Sequence, residues 1–403
     1  MKVSIFTPTH DPKYLLDVYN SIKDQPFYEW VILHNNGSKN VEINDKRVRQ
    51  ITTNISVDAV GIYKKMACNT CKGDILLELD HDDFLLPDAI QEVINAFQDS
   101  KIGFVYSNTV RVNQGWQKPE RFNSQHGWKY KSIKINGHEL DETISFAPTP
   151  ASISRIWYAP DHLRAFRRSV YNKIGGHDSK LKVLDDQDLM CRIYLESEFY
   201  HIDKPLYVYQ IYGQNSWLKY NKEIQDGVYP LYHKYIEPMA LKWADRKGLR
   251  KLDLGGRLNH DKRYEAVDLK DTETIADLNG VWPFETNSVG VIRAYDVFEH
   301  LSNPVHVMKE LSRVLVPGGY AFIQVPSTDG RGAFQDPTHV SFWNVNSFLY
   351  YTNEQWSKYI DTPVKLQAMW LFTTQKNEQQ VCWTVAHLIN LKDGFTPPGV
   401  INF

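Results

Sequence analysis

The stretch Leu77–Asp83, LELDHDD, sets Glu78, then the three aspartates Asp80, Asp82 and Asp83 and an imidazole at the end of the apolar run ILL. A second acidic group, LDDQDL, holds Asp185, Asp186 and Asp188. Two readings fit the first cluster. Asp favours strand-to-helix connections, and LPDAI just beyond it looks like a helix start with Pro87 in the first turn, so a solvated turn is one reading. The other is a ligand seat, because parallel sheets bind ligands beyond the carboxyl ends of their strands and DHDD sits at such an end. For the second cluster a helix cap needs one Asp, and three are present. Cys68 and Cys71 form a CxxC within YKKMACNTCKGD. That spacing serves zinc or redox chemistry, or simply places two small residues on a helix, and no second Cys/His pair lies nearby.

The elements that would position these residues show as alternation. KVSIFTPTH and EWVILHNNG are apolar runs ending in turn residues, and between them Leu15, Leu16, Tyr19 and Ile22 recur at helical spacing. The unit repeats. RVRQITTN reads as a short strand, DAVGIYKKMACNTC as a helix, DILLELD as a strand, and DAIQEVINAFQ as a helix with Ile90, Val93, Ile94 and Phe97 on one face. Strands alternating with helices imply an α/β fold with a parallel sheet covered by helices. From about Asn113 to Pro160 the pattern lapses into Gly, Pro, Ser, His and Trp, as a binding loop, a lid or a floppy insertion would. Regular structure returns with HLRAFRRSVYNKIGG, LDDQDLMCRIYLE and PLYVYQIY. A polar helical stretch, Lys222 to Leu249, then leads to a second alternating block that opens with RKLDLGG, placing a domain boundary near Lys247.

Composition narrows the class. The chain has 403 residues, and at about 100 to 200 residues per domain that means two or three domains. A hydrophobic content of 42% with 23% charged residues is that of a soluble globular protein. A formal net charge of −2 gives no electrostatic footprint for nucleic acid or an anionic membrane. No apolar run approaches the roughly 18 residues of a membrane span, and the N-terminus turns polar too early for a secretory signal. Four cysteines do not make a disulfide framework. These features together predict a cytoplasmic protein.

In order and spacing, SIFTPTHD, VILHNNGS, GDILLELDHDD, NKIGGHD with LDDQDL, and PLYVYQIYGQNS resemble a family 2 glycosyltransferase of the A-type nucleotide-sugar fold, over roughly residues 1–220. The resemblance implies a nucleotide diphosphate sugar donor, a glycan acceptor and a divalent metal, Mn²⁺ or Mg²⁺. Asp80 and Asp82 match the family's DxD: Asp82 would hold the metal, and Asp80 the nucleotide ribose or a metal-bound water. Asp83 would support them, and His81 would point away. Thr7, Pro8, Asn35 and Asn36 fall where relatives bind the nucleotide. The acidic acceptor-site motif assigns the general base to Asp186, with Asp185 as its rival and Asp188 orienting the base or capping the following helix. The chain departs from the pattern in three places. Asn35 and Asn36 stand where many relatives have Asp against the uracil imide, which leaves UDP preferred. Tyr212 replaces a frequent metal-binding His. YKKM replaces the usual Arg-Asn, so that Lys64 or Lys65 would reach a phosphate or else lie on a solvated helix face.

A second resemblance covers about Arg250 to Thr352. KLDLGG, YEAVDL, ADLNGVWPF, VIRAYDVFEHL, VMKELSRVLVPGGYAFIQVPS and DPTHVSFW resemble class I S-adenosylmethionine-dependent methyltransferases. Gly255, Gly256 and Asp268 match the family's Gly-rich turn and ribose-binding acid, and Asp277 matches a position near the adenine. Asp296 and His300 would lie at the methyl-acceptor end. RLNHDKR runs straight into YEAVDL, leaving no room for the helix whose N-terminus usually cradles the cofactor's methionine part.

The organisation expected is therefore a glycosyltransferase domain at 1–220, a helical linker at 221–247 and a Rossmann-like methyltransferase domain at 248–403. The expected function is metal-dependent, inverting transfer of a sugar from a UDP-sugar to a glycan, with methylation of a sugar of the product. Two alternatives stay open: a second domain that only scaffolds, and a glycan-binding protein without turnover.

Overall fold

The computed structural model describes residues 1–124, 127–156, 159–212, 215–360 and 366–392. The chain divides into two compact units between Ile236 and Glu237.

The first unit runs β1 (Val3–Thr9), α1 (Leu15–Ile22), β2 (Glu29–His34), β3 (Val48–Thr52), α2 (Val60–Thr70), β4 (Ile75–Glu78), β5 (Phe84–Leu85), α3 (Ala89–Ala96), β6 (Ile102–Asn113), β7 (Lys129–Ile135), β8 (His138–Ile144), α4 (Pro150–Arg155), β9 (Arg164–Arg167), α5 (Arg168–Lys173), α6 (Asp185–Glu196), β10 (Glu198–Ile211), α7 (Ser216–Lys219) and the start of α8 (Asn221–Arg246). Its sheet order is β3-β2-β1-β4-β9-β6-β10-β5, with β7 and β8 extending from β6. β1, β2 and β4 are buried along nearly their whole length, as strands covered on both faces must be. β2 and β4 lie on opposite sides of β1, both parallel to it, so the chain reverses its direction of progress there and opens a crevice beyond the carboxyl ends of these strands.

The sheet is mixed rather than purely parallel, because β9 inserts antiparallel between β4 and β6. The stretch expected to be irregular holds the β7–β8 hairpin and α4, and Trp128, Phe146, Ile156 and Ala159 form a small core there. β7 and β8 pair with each other across a two-residue turn, Asn136 and Gly137, both at positive φ, and β8 joins β6 at Thr109 and Val110. On α1 the buried face is Leu15, Val18 and Ile22, and Leu16 points outward. α3 begins at Ala89, after Pro87, with Asp88 in the left-handed region at its N-cap.

The second unit contains β11 (Arg250–Leu254), β12 (Glu265–Asp268), β13 (Thr274–Ile275), β14 (Val289–Tyr295), α9 (Pro304–Val314), β15 (Leu315–Pro326), α10 (Gly332–Gln335), α11 (Val345–Thr352), α12 (Glu354–Ser357), β16 (Leu366–Thr373) and β17 (Trp383–Asn390). The sheet order is β13-β12-β11-β14-β15-β17-β16, parallel except for β17, which runs antiparallel to both neighbours. Its switch point lies between β11 and β14. No helix separates β11, β12, β13 and β14 from one another among the described residues. Residues 393–403, in the C-terminal span expected to belong to this domain, lie outside the described residues.

Candidate active site

The crevice of the first unit is built on the ends of β1, β2 and β4. Just past β4, Asp80 and Asp82 are partly buried, and neither carboxylate is held by a side-chain donor or a cation of another residue among the described residues. Burial, with Glu78 nearby, pushes Asp80 up to about 6 despite Lys64; burial likewise lifts Asp82 to about 6. Asp83 differs: it is buried and accepts from the Tyr207 hydroxyl (2.8 Å) and the Gln210 amide (2.8 Å), which ties the loop to β10. The His81 ring packs edge-on against His10, centroids 5.0 Å apart.

Beneath these carboxylates lies a network of charges. The register pairs Glu78 with Arg164 across β4 and β9. Lys64, on α2, is buried; its ammonium sits 2.6 Å from Glu78 Oε1 and 3.9 Å from Asp185 Oδ2. Arg164 donates to Asp186 Oδ2 at 2.5 Å and to the Pro160 carbonyl. Lys64 is thus an internal cation, neither a solvated helix face nor a group free to hold a phosphate. Two cations face four carboxylates, those of Glu78, Asp80, Asp185 and Asp186. The surplus divides unevenly. Burial lifts Asp185 to about 7 despite Lys64, whereas for Asp186 Arg164 and Lys64 outweigh burial and hold the carboxyl below its usual range. Asp186 is partly exposed and Asp185 buried. α2 can lie this close to α6 because residue 61 is Gly; a Cβ there would meet the Asp185 side chain at 2.9 Å.

Several buried polar atoms around the crevice find no hydrogen-bond partner: Asn35 Oδ1, His162 Nδ1, His177 Nε2 and Asp185 Oδ2. Such atoms are uncommon in native interiors. Glu78, Asp80 and His162 bring donor atoms within 4.8 Å of one another, and Asp82 is not part of that group.

The other expected residues fall in different places. Thr7 is buried in the sheet, donating to the Leu79 carbonyl and accepting from the Trp30 indole, so it braces β1 against β4, while Pro8 is partly exposed next to it. Asn36 is exposed at positive φ, with the Tyr63 hydroxyl 3.4 Å from its Oδ1. Tyr212 stacks on Tyr14, centroids 5.1 Å apart. Asp188 is buried and accepts from Arg192 Nε and the Tyr235 hydroxyl; it anchors α6 to α8 and caps nothing, the N-cap being Leu184. Cys68 and Cys71 are buried free thiols raised by burial, as packing residues are. Sequence reasoning missed Glu78, His162, Arg164 and His177. The only local signal was a charge closing the apolar strand ILLE and an Arg inside HLRAF.

In the second unit Gly255 has φ +72°, and a Cβ on it would meet Val297 at 2.9 Å; one on Gly256 would meet the Asp253 carbonyl at 2.8 Å. The turn's need for glycine therefore comes from the chain's own packing. Asp253 is buried, accepting from Arg293 (2.7 Å) and the Asp261 amide (3.0 Å), and this closes the short connection to β12. Asp268 accepts from the amides of Leu269 and Arg257. Asp277 is exposed and accepts from Asn279. Asp296 accepts from the Trp383 indole. Past β14, burial and then nearby Asp296 and Asp336 raise Glu299 to about 8.

Residues 4–175 match the sequence model of glycosyl transferase family 2, and residues 258–323 match that of a methyltransferase domain. The first unit carries a family 2 glycosyltransferase domain and the second a methyltransferase domain. Curated relatives resemble the glycosyltransferase portion. An uncharacterized glycosyltransferase of Haemophilus influenzae is 29% identical over 36% of this chain and 44% of its own length. A chondroitin synthase of Escherichia coli is 24% identical over 54% of this chain and 30% of its own length. A hyaluronan synthase of Pasteurella multocida is 25% identical over 38% of this chain and 14% of its own length. The chain thus spans less than half the length of each of these relatives. Among solved structures, Staphylococcus aureus TarS residues 1–349 align with a TM-score of 0.41 at 16% identity, covering 65% of this chain and 76% of that one. The complex of the same fragment with UDP-GlcNAc aligns at 0.38 and 17% identity, covering 52% and 59%. Among the described residues no helix of either domain is long and apolar enough to cross a membrane.

Proposed function

We propose that the glycosyltransferase domain transfers a sugar, with inversion, from a nucleotide diphosphate sugar to a glycan acceptor, and that UDP is the preferred nucleotide. One observation carries this reading. Asp80 and Asp82 stand partly buried and without an ion-pair partner at the switch point, at the edge of a network in which carboxylates outnumber cations. Two hard oxygen donors in that state fit a divalent metal such as Mn²⁺ or Mg²⁺. A cation there would neutralise the charge developing on the leaving diphosphate. Asn35, whose buried Oδ1 past β2 has no hydrogen-bond partner, would accept from a base imide, which suits uracil. Asp186, being partly exposed, takes the proton from the acceptor hydroxyl, and Arg164 fixes its orientation. The test is transfer from a panel of nucleotide sugars to short glycans with and without Mn²⁺. Release of UDP that depends on both metal and acceptor supports the proposal; no turnover with any donor would leave a glycan-binding protein.

For the methyltransferase domain we propose methylation of a sugar of the same product as its role. The fit to S-adenosylmethionine is partial. Asp268 and Asp277 would face the nucleoside, but among the described residues no helix lies between Gly256 and β12 to receive the cofactor's carboxylate.

A further inference from the structure

Immediately past β14, a 3-10 turn spans Phe298–His300 and presents Glu299 and His300 side by side. The loop between α10 and α11, bridged to the end of the neighbouring strand β15 through Ser327 and Trp343, closes on it. The amides of Val340 and Ser341 donate to the Glu299 carbonyl at 2.9 and 3.0 Å, and the Ser341 hydroxyl donates to the Phe298 carbonyl at 2.9 Å. These bonds clamp His339 over the turn, and the two imidazoles meet edge to face with centroids 4.9 Å apart. The donor atoms of Glu299, His300 and His339 all lie within 4.8 Å of one another.

Two details point to a cation. Glu299 is 2% exposed, yet its Oε2 finds no hydrogen-bond partner. A carboxylate oxygen desolvated in this way is costly unless something positive completes it. His339 Nδ1 lies 3.0 Å from the Ala333 carbonyl, which can only accept, so Nδ1 carries the proton and Nε2 the lone pair. A backbone carbonyl holding the far nitrogen is the usual way a metal-binding imidazole is oriented. That Nε2 faces Glu299 Oε1 at 4.0 Å and Asp336 Oδ2 at 3.9 Å. Ligands about 2.0–2.2 Å from a tetrahedral ion are roughly 3.3–3.6 Å apart, so modest side-chain rotations would close the set.

We propose that Glu299, His300 and His339 bind a divalent transition-metal ion of the zinc class at the carboxyl end of β14. Two imidazoles and one carboxylate suit such an ion better than Mg²⁺ or Ca²⁺, which take oxygen donors. His300 is exposed, so the fourth position opens to solvent, within reach of Asp336 or of a substrate oxygen. The site is separate from the Asp80 and Asp82 carboxylates, and its existence does not depend on the glycosyltransferase reading.

The test uses the full chain carrying Asp80→Asn and Asp82→Asn, so that the first domain contributes no competing seat, stripped of metal and titrated with Co²⁺ alone. The expected result is one equivalent bound at micromolar affinity, with the visible ligand-field band of a tetrahedral site, displaced by Zn²⁺. His339→Ala should weaken binding by at least about a hundredfold. His300→Ala removes an exposed side chain whose contacts are the Thr338 carbonyl and hydroxyl, 3.3 and 3.1 Å from its Nδ1, and the His339 ring. It should weaken binding by at least about tenfold, and a melting temperature within a few degrees of the parent would show that the loss is not unfolding, so the assignment stays testable if His339→Ala misfolds. Absence of Co²⁺ binding below millimolar concentration, or unchanged affinity in His300→Ala, would overturn the proposal.

Discussion

The Lys64 ammonium lies 2.6 Å from Glu78 and 3.9 Å from Asp185, and so joins the end of β4 to the first turn of α6 beneath the crevice. All three groups are buried, and the lysine is the only cation paired with Glu78 among the described ion pairs. Removing one partner of a buried pair leaves the other without compensation, a loss of about 3–5 kcal/mol. Lys64→Met should therefore destabilise the unfolding transition of the first unit by that order, followed by urea denaturation. Adding Glu78→Gln should recover part of the loss. A single variant as stable as the parent would mean that the pair carries no net stabilisation.

The second prediction concerns the carboxylates without a cation. Asp82→Ala and Asp80→Asn each remove a proposed metal ligand from a loop whose anchoring is done by Asp83 through Tyr207 and Gln210. The fold should persist, with a melting temperature within a few degrees of the parent, while Mn²⁺-dependent UDP binding weakens by about a hundredfold or more. Calorimetric titration with UDP, with and without Mn²⁺, reads both effects. Normal turnover in Asp82→Ala would remove that residue from the metal seat.

The third separates the two candidate bases by pH. A base works only when deprotonated. Asp185, raised to about 7, would lose this ability as pH falls through 7, whereas Asp186, held below the usual carboxylate range, would keep it. At saturating Mn²⁺ and donor, kcat should stay level from pH 7.5 to about 5.5. Asp186→Asn should lower kcat by roughly 10²–10⁴ with donor affinity nearly unchanged. A fall in kcat centred near pH 7 would assign the base to Asp185 instead.

What could be read from the sequence was what lies close together in it. The α1, α2 and α3 helices and the apolar β1, β2 and β4 strands announce themselves through periods of 3.6 and continuous apolar runs, and DHDD declares its place at a strand end. Lys64 read as a lysine that reaches a phosphate or lies on a solvated helix face, because Glu78 is fourteen positions on and Asp185 more than a hundred; only the folded sheet brings them together. The β7–β8 hairpin was hidden because it pairs with β6 through polar residues such as Thr109, Glu142 and Thr143, which leave no apolar alternation. The Glu299, His300 and His339 cluster joins residues separated by α9, β15 and α10, and spacing alone gave no metal pattern for it. Asp188 shows the opposite failure. Its neighbours in an acidic motif suggested chemistry, while the deciding partner, Tyr235, sits on α8.

The last prediction is that S-adenosylmethionine binds the second domain weakly or not at all without an acceptor. The domain has a doubly wound order with its switch point between β11 and β14, and Asp268 and Asp277 stand on the expected side. However, the connection after Gly256 is closed by Asp253, which takes the Asp261 amide, and Asp268 is engaged by the Arg257 and Leu269 amides. The turn therefore offers few free donors and no helix N-terminus for the cofactor's carboxylate. Charge-assisted hydrogen bonds contribute about 1.5–3 kcal/mol each, so missing two should lower affinity by roughly a hundredfold or more. Titration of the full chain with S-adenosylmethionine should give a dissociation constant above about 100 μM, and Asp268→Asn should change it little. A micromolar constant that Asp268→Asn weakens at least tenfold would show that the short turn is competent and that the Asp268 carboxylate turns from its own backbone to the ribose.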